Sequence, residues 1–155
     1  MIKQHKKTLI LTSVITLLPI FIGLLLWRQL PASVATHFGV DNQPDGYCSK
    51  AFAVFGLPVM MLFFHFICIV ATNIDPKRKN ISKKVFHVVM WICPVISLVN
   101  CNILYVYNLG YKLNIGFVCG LFVGILYLIL GNFIPKVKPN SVSYTHLTLP
   151  TNSRV

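Results

Sequence analysis

Residues 8–27 read "TLILTSVITLLPIFIGLLLW", twenty positions without a single charge. At about 1.5 Å of helical rise per residue, such a run crosses a hydrocarbon core of roughly 30 Å, so it predicts a transmembrane helix. Three further runs meet the same requirement, at 51–72 with His65 as its one break, at 85–107 and at 113–134. None alternates apolar with polar residues as barrel strands do, and lipid offers no partners to an open backbone. The fold class is therefore all-α: a polytopic transmembrane helical bundle with four spans, forming one membrane domain over residues 1–140. Composition agrees, with 55% hydrophobic and 11% charged residues and a mean hydropathy of +0.72, far from the roughly 25% charge of soluble domains.

The cations flank the spans unevenly. Ten Lys or Arg lie before the first span, between the second and third, and after the fourth (Lys3, Lys6, Lys7; Lys77, Arg78, Lys79, Lys83, Lys84; Lys136, Lys138). The two intervening segments hold only Arg28, Lys50 and Lys112. The positive-inside rule thus predicts a cytoplasmic amino terminus, an outside loop at 28–50 and a cytoplasmic loop at 73–84. The net charge of +11 is then an orientation signal that also meets anionic headgroups. The partner it implies is the lipid bilayer and not nucleic acid, since no soluble domain remains to present a nucleic-acid surface. Ser33-Val34-Ala35 has small residues like a signal-peptidase site, but a twenty-residue apolar core suits an uncleaved anchor better than a 7–15-residue signal core.

The predicted outside loop contains "LPASVATHFGVDNQPDGYCSK", residues 30–50, with two of the three acidic residues of the chain. Pro44-Asp45-Gly46 is a turn signature, toward which residues 34–38 can extend as a short hairpin or re-entrant cap. His37, Asp41, Asp45 and Cys48 are metal-ligand types, yet there is no second histidine and no HExxH or CxxC spacing, and a zinc site needs three or four ligands. The expectation is a structural cap or recognition surface, with no metal, no cofactor and no catalytic set. Four of the five cysteines fall inside spans and act as small apolar fillers, leaving no disulfide framework.

Inside the membrane each polar side chain needs a partner. Cys93, Ser97 and Asn100 share one stripe of the third helix, and His65 on the second is the expected partner of that stripe through one interhelical hydrogen bond. The fourth helix carries Gly116, Gly120 and Gly124 at four-residue spacing, with Gly131 seven further on; this small-residue face is expected to pack against another helix of the same chain. Pro19, Pro58 and Pro94 predict kinks or weakened turns.

After Asn140 the text "SVSYTHLTLPTNSRV" is polar and unpatterned. Residues 142–151, VSYTHLTLPT, match one reading frame of a common transposase sequencing adaptor, so residues 141–155 are expected to be read-through and are excluded from fold reasoning.

The loop motif together with the downstream "FGLP" resembles the signature of the small domain that opens SdpI-family membrane proteins, approximately L-P-x-x-[IV]-x-x-H-[FW]-x-x-x-G-x-P-D-G-[WY]-x-S-K. A second segment, "GNFIPKVKPN", is similar to the family's G-N-x-x-P-K-x-[KR]-x-N. One departure is visible, since the family's glycine before Pro-Asp-Gly falls near Asn42-Gln43. The resemblance implies a bacterial plasma-membrane protein, with six spans in full-length relatives. It also implies protection against a secreted membrane-active peptide toxin outside and retention of a transcriptional repressor at the cytoplasmic face. By position it implies an outer signature of Pro31, His37, Phe38, Pro44, Asp45, Gly46 and Lys50, and a cytoplasmic exit motif of Gly131, Asn132, Pro135, Lys136, Lys138 and Asn140. Two rivals stay open: a small-solute or ion transporter depending on His65 and Asn100, and a membrane sensor binding a partner at residues 77–84. Oligomeric state is left open.

Overall fold

The structure, a computed structural model, describes residues 5–75 and 82–133. The element order is α1 (Lys6–Leu25), β1 (Ser33–Phe38), β2 (Pro44–Ser49), a wide π-helical turn (Phe52–Gly56) leading into α2 (Leu57–Ile74), α3 (Lys83–Asn108) and α4 (Ile115–Phe133). Four helices are long and apolar enough to cross a membrane. The fold is mainly helical, with the two-stranded sheet as a minor part.

The helices are sorted by what they hide. In α1 the buried residues are Thr12, Thr16, Pro19 and Gly23, a stripe at spacings of four, three and four. Ile10, Phe21 and Leu25 on the same helix point outward. A lipid-facing helix gains nothing by hiding leucine, so small and polar residues take the interface, where backbones approach and hydrogen bonds form. A β-carbon added at Gly23 would stand 2.8 Å from Val54 and 2.9 Å from the Tyr105 hydroxyl. Only glycine lets α1 come so near.

α3 packs against both α1 and α2, and α1 against α2, making a three-helix bundle; α4 makes only a slight contact with α3. One core cluster is Leu30, Val54, Cys101 and Tyr105, backed by Ile22 and Leu57. The other, at the opposite end, is Ile69, Phe86 and Met90 with Leu9 against it.

The termini and breaks follow local chemistry. Ser82 caps α3, its Oγ accepting from the Val85 amide at 3.2 Å with extended backbone at the cap. Asn114 caps α4, its Oδ1 accepting from the Phe117 amide at 2.9 Å. The wide turn before Pro58 has the Leu57 amide donating to the Phe52 carbonyl five residues back. Pro58 has no N–H for a bond to residue 54, and the widened turn sits where that bond is missing.

The glycine face has no partner helix among the described residues. Gly116, Gly120, Gly124 and Gly131 are all exposed, and β-carbons built at Gly120, Gly124 and Gly131 meet nothing within 4 Å. α4 instead turns Leu126, Ile129 and Leu130 toward α3, a face whose mean direction lies about 130° around the helix from that of the four glycines at 100° per residue. Among the described residues the small-residue stripe therefore packs against no helix.

Candidate functional site: the hairpin cap

β1 and β2 pair antiparallel, with Ser33 opposite Ser49, Val34 opposite Cys48 and Ala35 opposite Tyr47. Of the short hairpin or re-entrant cap expected from the sequence, the structure has the hairpin, but its turn lies earlier than Pro44-Asp45-Gly46. Residues 39–43 make the reversal: the Gly39 amide donates to the Gln43 carbonyl at 2.9 Å and the Asn42 amide to the Gly39 carbonyl at 3.0 Å. Asn42 takes the left-handed conformation, φ 63°, which asparagine tolerates better than most residues. The residue standing near the family's glycine thus adopts a conformation that glycine also favours.

Pro44, Asp45 and Gly46 open β2, and Gly46 does not have positive φ. Glycine is needed there for space. The register shifts around His37 bring that residue over Gly46, and an added β-carbon would lie 2.8 Å from the His37 β-carbon. The bulge turns the imidazole toward Asp45, with His37 Nδ1 2.5 Å from Asp45 Oδ1. Both side chains are mostly exposed, at 76% and 54%. Such a surface pair adds little stability, about 0–1 kcal/mol, and remains available to a partner.

The bundle holds this hairpin by side chains that read its backbone. Asn108, the last residue of α3, accepts from the Ala35 amide through Oδ1 at 2.8 Å and donates from Nδ2 to the Ala35 carbonyl at 3.0 Å. It occupies the outer edge of β1 as another strand would. The Phe38 ring meets Tyr107 edge-on at 4.7 Å between centroids. Asn42 bridges to the other side, donating to the Leu113 carbonyl at 3.2 Å and accepting from the Gly116 amide at 3.1 Å. Lys50 closes the base: its Nζ donates to the Trp27 carbonyl at 2.9 Å and stands 5.3 Å from the Trp27 ring centroid.

Of the expected outer signature, His37, Asp45 and Pro31 are exposed, whereas Phe38, Pro44, Gly46 and Lys50 are partly covered. Phe38, Gly46 and Lys50 do structural work. The sequence marks Asn42 only as standing near the family's glycine, and gives Asn108 no role. The only available signal was an asparagine closing an apolar helix, and it does not say what that asparagine reaches.

The intramembrane polar residues differ from expectation too. His65 is fully buried, but its Nε2 lies 3.1 Å from Thr12 Oγ1 on α1, not on the α3 stripe. Ser97 donates to the Thr16 carbonyl at 2.8 Å, and Tyr105 to the Pro19 carbonyl at 3.2 Å. Asn100 is exposed. The buried face of α3 continues from Ser97 through Cys101 and Tyr105 at four-residue steps, which carries it away from position 100. Among the described residues no group of three His, Cys, Asp or Glu is placed to hold a metal ion. All five cysteines are free thiols. Gly131 and Asn132 end α4 as exposed residues. Pro135, Lys136, Lys138, Asn140 and the tail from 141 lie outside the described residues.

At the end away from the hairpin, His5 contacts Phe86 and His87, with ring centroids 5.3 and 4.7 Å away. Partial burial, then the neighbouring His87 and Lys83, holds the His5 imidazole below the ordinary value of 6.5.

These features define a multi-pass membrane protein in which the first two spans carry a strand hairpin between them. Residues 14–62, from within α1 through the hairpin into α2, match the family described as "Domain of unknown function (DUF1648)". The chain is also similar to "Immunity protein SdpI" of Bacillus subtilis (strain 168), 26% identical over 138 residues, covering 86% of this chain. Together these matches support membership of the SdpI family. The chain spans 63% of the length of that relative. No solved structure gives a significant match.

Proposed function

We propose that this chain is an immunity-type protein of the bacterial plasma membrane that protects its cell from a secreted, membrane-active peptide toxin. The amino terminus is cytoplasmic, so the hairpin lies outside. The observation that carries the reading is the hairpin cap itself: a surface tied to the bundle by Asn108, Asn42 and Lys50 that still offers His37 and Asp45 to the surroundings. A rigid recognition surface binds with a smaller ordering cost than a mobile loop. The name of the similar Bacillus subtilis protein points the same way, and the basic segments of this chain on the opposite side, Lys83 and Lys84 among them, would suit retention of a repressor protein when the outer face is occupied.

The test is protection. The intact reading frame from the source DNA is expressed in a toxin-sensitive bacterium and challenged with the peptides secreted by the source strain. Survival is expected, together with its loss in a His37→Ala/Asp45→Ala double variant that still reaches the membrane. Equal killing with and without the protein would overturn immunity. Protection lost through His65→Ala while the hairpin variant protects would favour transport through the bundle instead.

A further inference from the structure

A groove runs between α3 and α4, lined by Val88, Trp91, Val95, Leu126 and Leu130 with His87 at one end, and encloses about 280 Å³. That is near the lower limit of small-molecule sites, about 300 Å³. We propose that it is a binding site for one anionic phospholipid, with an acyl chain lying along the groove and the phosphate headgroup held at Lys84 and His87. This inference does not depend on the immunity reading.

Three observations select that occupant. Helical spacing puts Lys84 on the groove's own stripe, four residues before Val88, seven before Trp91 and eleven before Val95. A cation thus stands one turn beyond an apolar channel. The distance from Lys84 to Val95 is about 16 Å at 1.5 Å per residue, half of a hydrocarbon core of roughly 30 Å, so the stripe is as deep as one leaflet. Neither α3 nor α4, which form the groove, contains an acidic residue, and Asp41 and Asp45 lie in the hairpin; Asp75, just after α2, is at the same membrane face but on a helix that does not line the groove. Lys84 and His87 are both exposed and His87 lines the groove, so a phosphodiester at that end can accept from them. A neutral lipid would fill the channel but gain less from the Lys84 ammonium. Lys83, one residue away, stands about 100° around the helix from Lys84.

Trp91 reports occupancy, because the chain has only two tryptophans and Trp27 lies at the hairpin end. The Trp27→Phe protein is reconstituted in phosphatidylcholine vesicles containing increasing fractions of phosphatidylglycerol brominated on its acyl chains, or of equally brominated phosphatidylcholine. Half-maximal quenching of Trp91 is expected at a mole fraction at least about fivefold lower for the anionic lipid, the attraction typical of one juxtamembrane cation. Lys84→Gln/His87→Gln should bring the two curves together, and Lys83→Gln should leave them apart, with far-UV circular dichroism unchanged in each. Coincident curves in the Trp27→Phe protein overturn the proposal without any groove variant being needed. So does an anionic preference that survives the double substitution. Absence of quenching by either lipid also overturns it, since the groove would then be filled by protein.

Discussion

Replacing Asn108 by alanine should release the hairpin while leaving the helices assembled. Asn108 pairs with both backbone groups of Ala35 on that edge, through bonds of 2.8 and 3.0 Å, and Ala35 is 3% exposed. Truncation therefore orphans one buried donor and one buried acceptor. At about 1–3 kcal/mol for each, the strain is roughly 2–6 kcal/mol while the hairpin stays docked. The hairpin can escape it by lifting and hydrating, so the docked state loses at least about 2 kcal/mol, a factor of roughly 30 in the opening equilibrium. Amide hydrogen exchange in lipid nanodiscs reads that equilibrium directly. The Val34 and Ala35 amides should exchange about 30-fold faster, while amides in the middle of α1 and α3 keep their protection. Asn108→Asp, which can still accept from the Ala35 amide but cannot donate to its carbonyl, should fall between. Unchanged exchange in Asn108→Ala would refute the view that this side chain docks the hairpin. Equal acceleration throughout α3 would show that Asn108 stabilises the bundle rather than the cap.

Three further outcomes are expected. Gly46→Ala should cost about 1–3 kcal/mol by overpacking against His37, and His37→Gly should recover most of it in a thermal double-mutant cycle; additive losses would contradict the close approach. Thr12→Val should destabilise by about 1–2 kcal/mol, because it leaves His65 without its hydroxyl partner while Nδ1 already has none. His65→Leu should cost less, since Thr12 keeps its bond to the Leu9 carbonyl; the reverse order in reversible unfolding would count against this pairing. The His5 imidazole should titrate below 6.5 by NMR and move up toward it in His87→Asn. Its folded form favours the neutral ring, so its contribution to stability is complete above 6.5 and declines as pH falls below it. A midpoint above 6.5 would exclude that sign.

The four spans were legible in the sequence, because the length and hydrophobicity of an apolar run are properties of the run alone. Their boundaries came within a few residues, limited by caps such as Ser82 and Asn114 that were not recognised in advance. The hairpin was foreseen from residues 34–38 and the Pro-Asp-Gly signal, yet its turn was placed too late, since nothing local reveals that Asn42 adopts φ 63° while Gly46 is selected by the nearness of His37. Partnerships across the bundle were beyond the sequence altogether. His65 meets Thr12 and not the α3 stripe, Asn108 grips Ala35, and the α4 glycines face away from α3. The sequence by itself determined which segments enter the membrane, through the transfer of whole apolar stretches out of water. Which polar group meets which was decided by the rotation and depth of each helix against its neighbours, and those depend on every contact in the bundle at once.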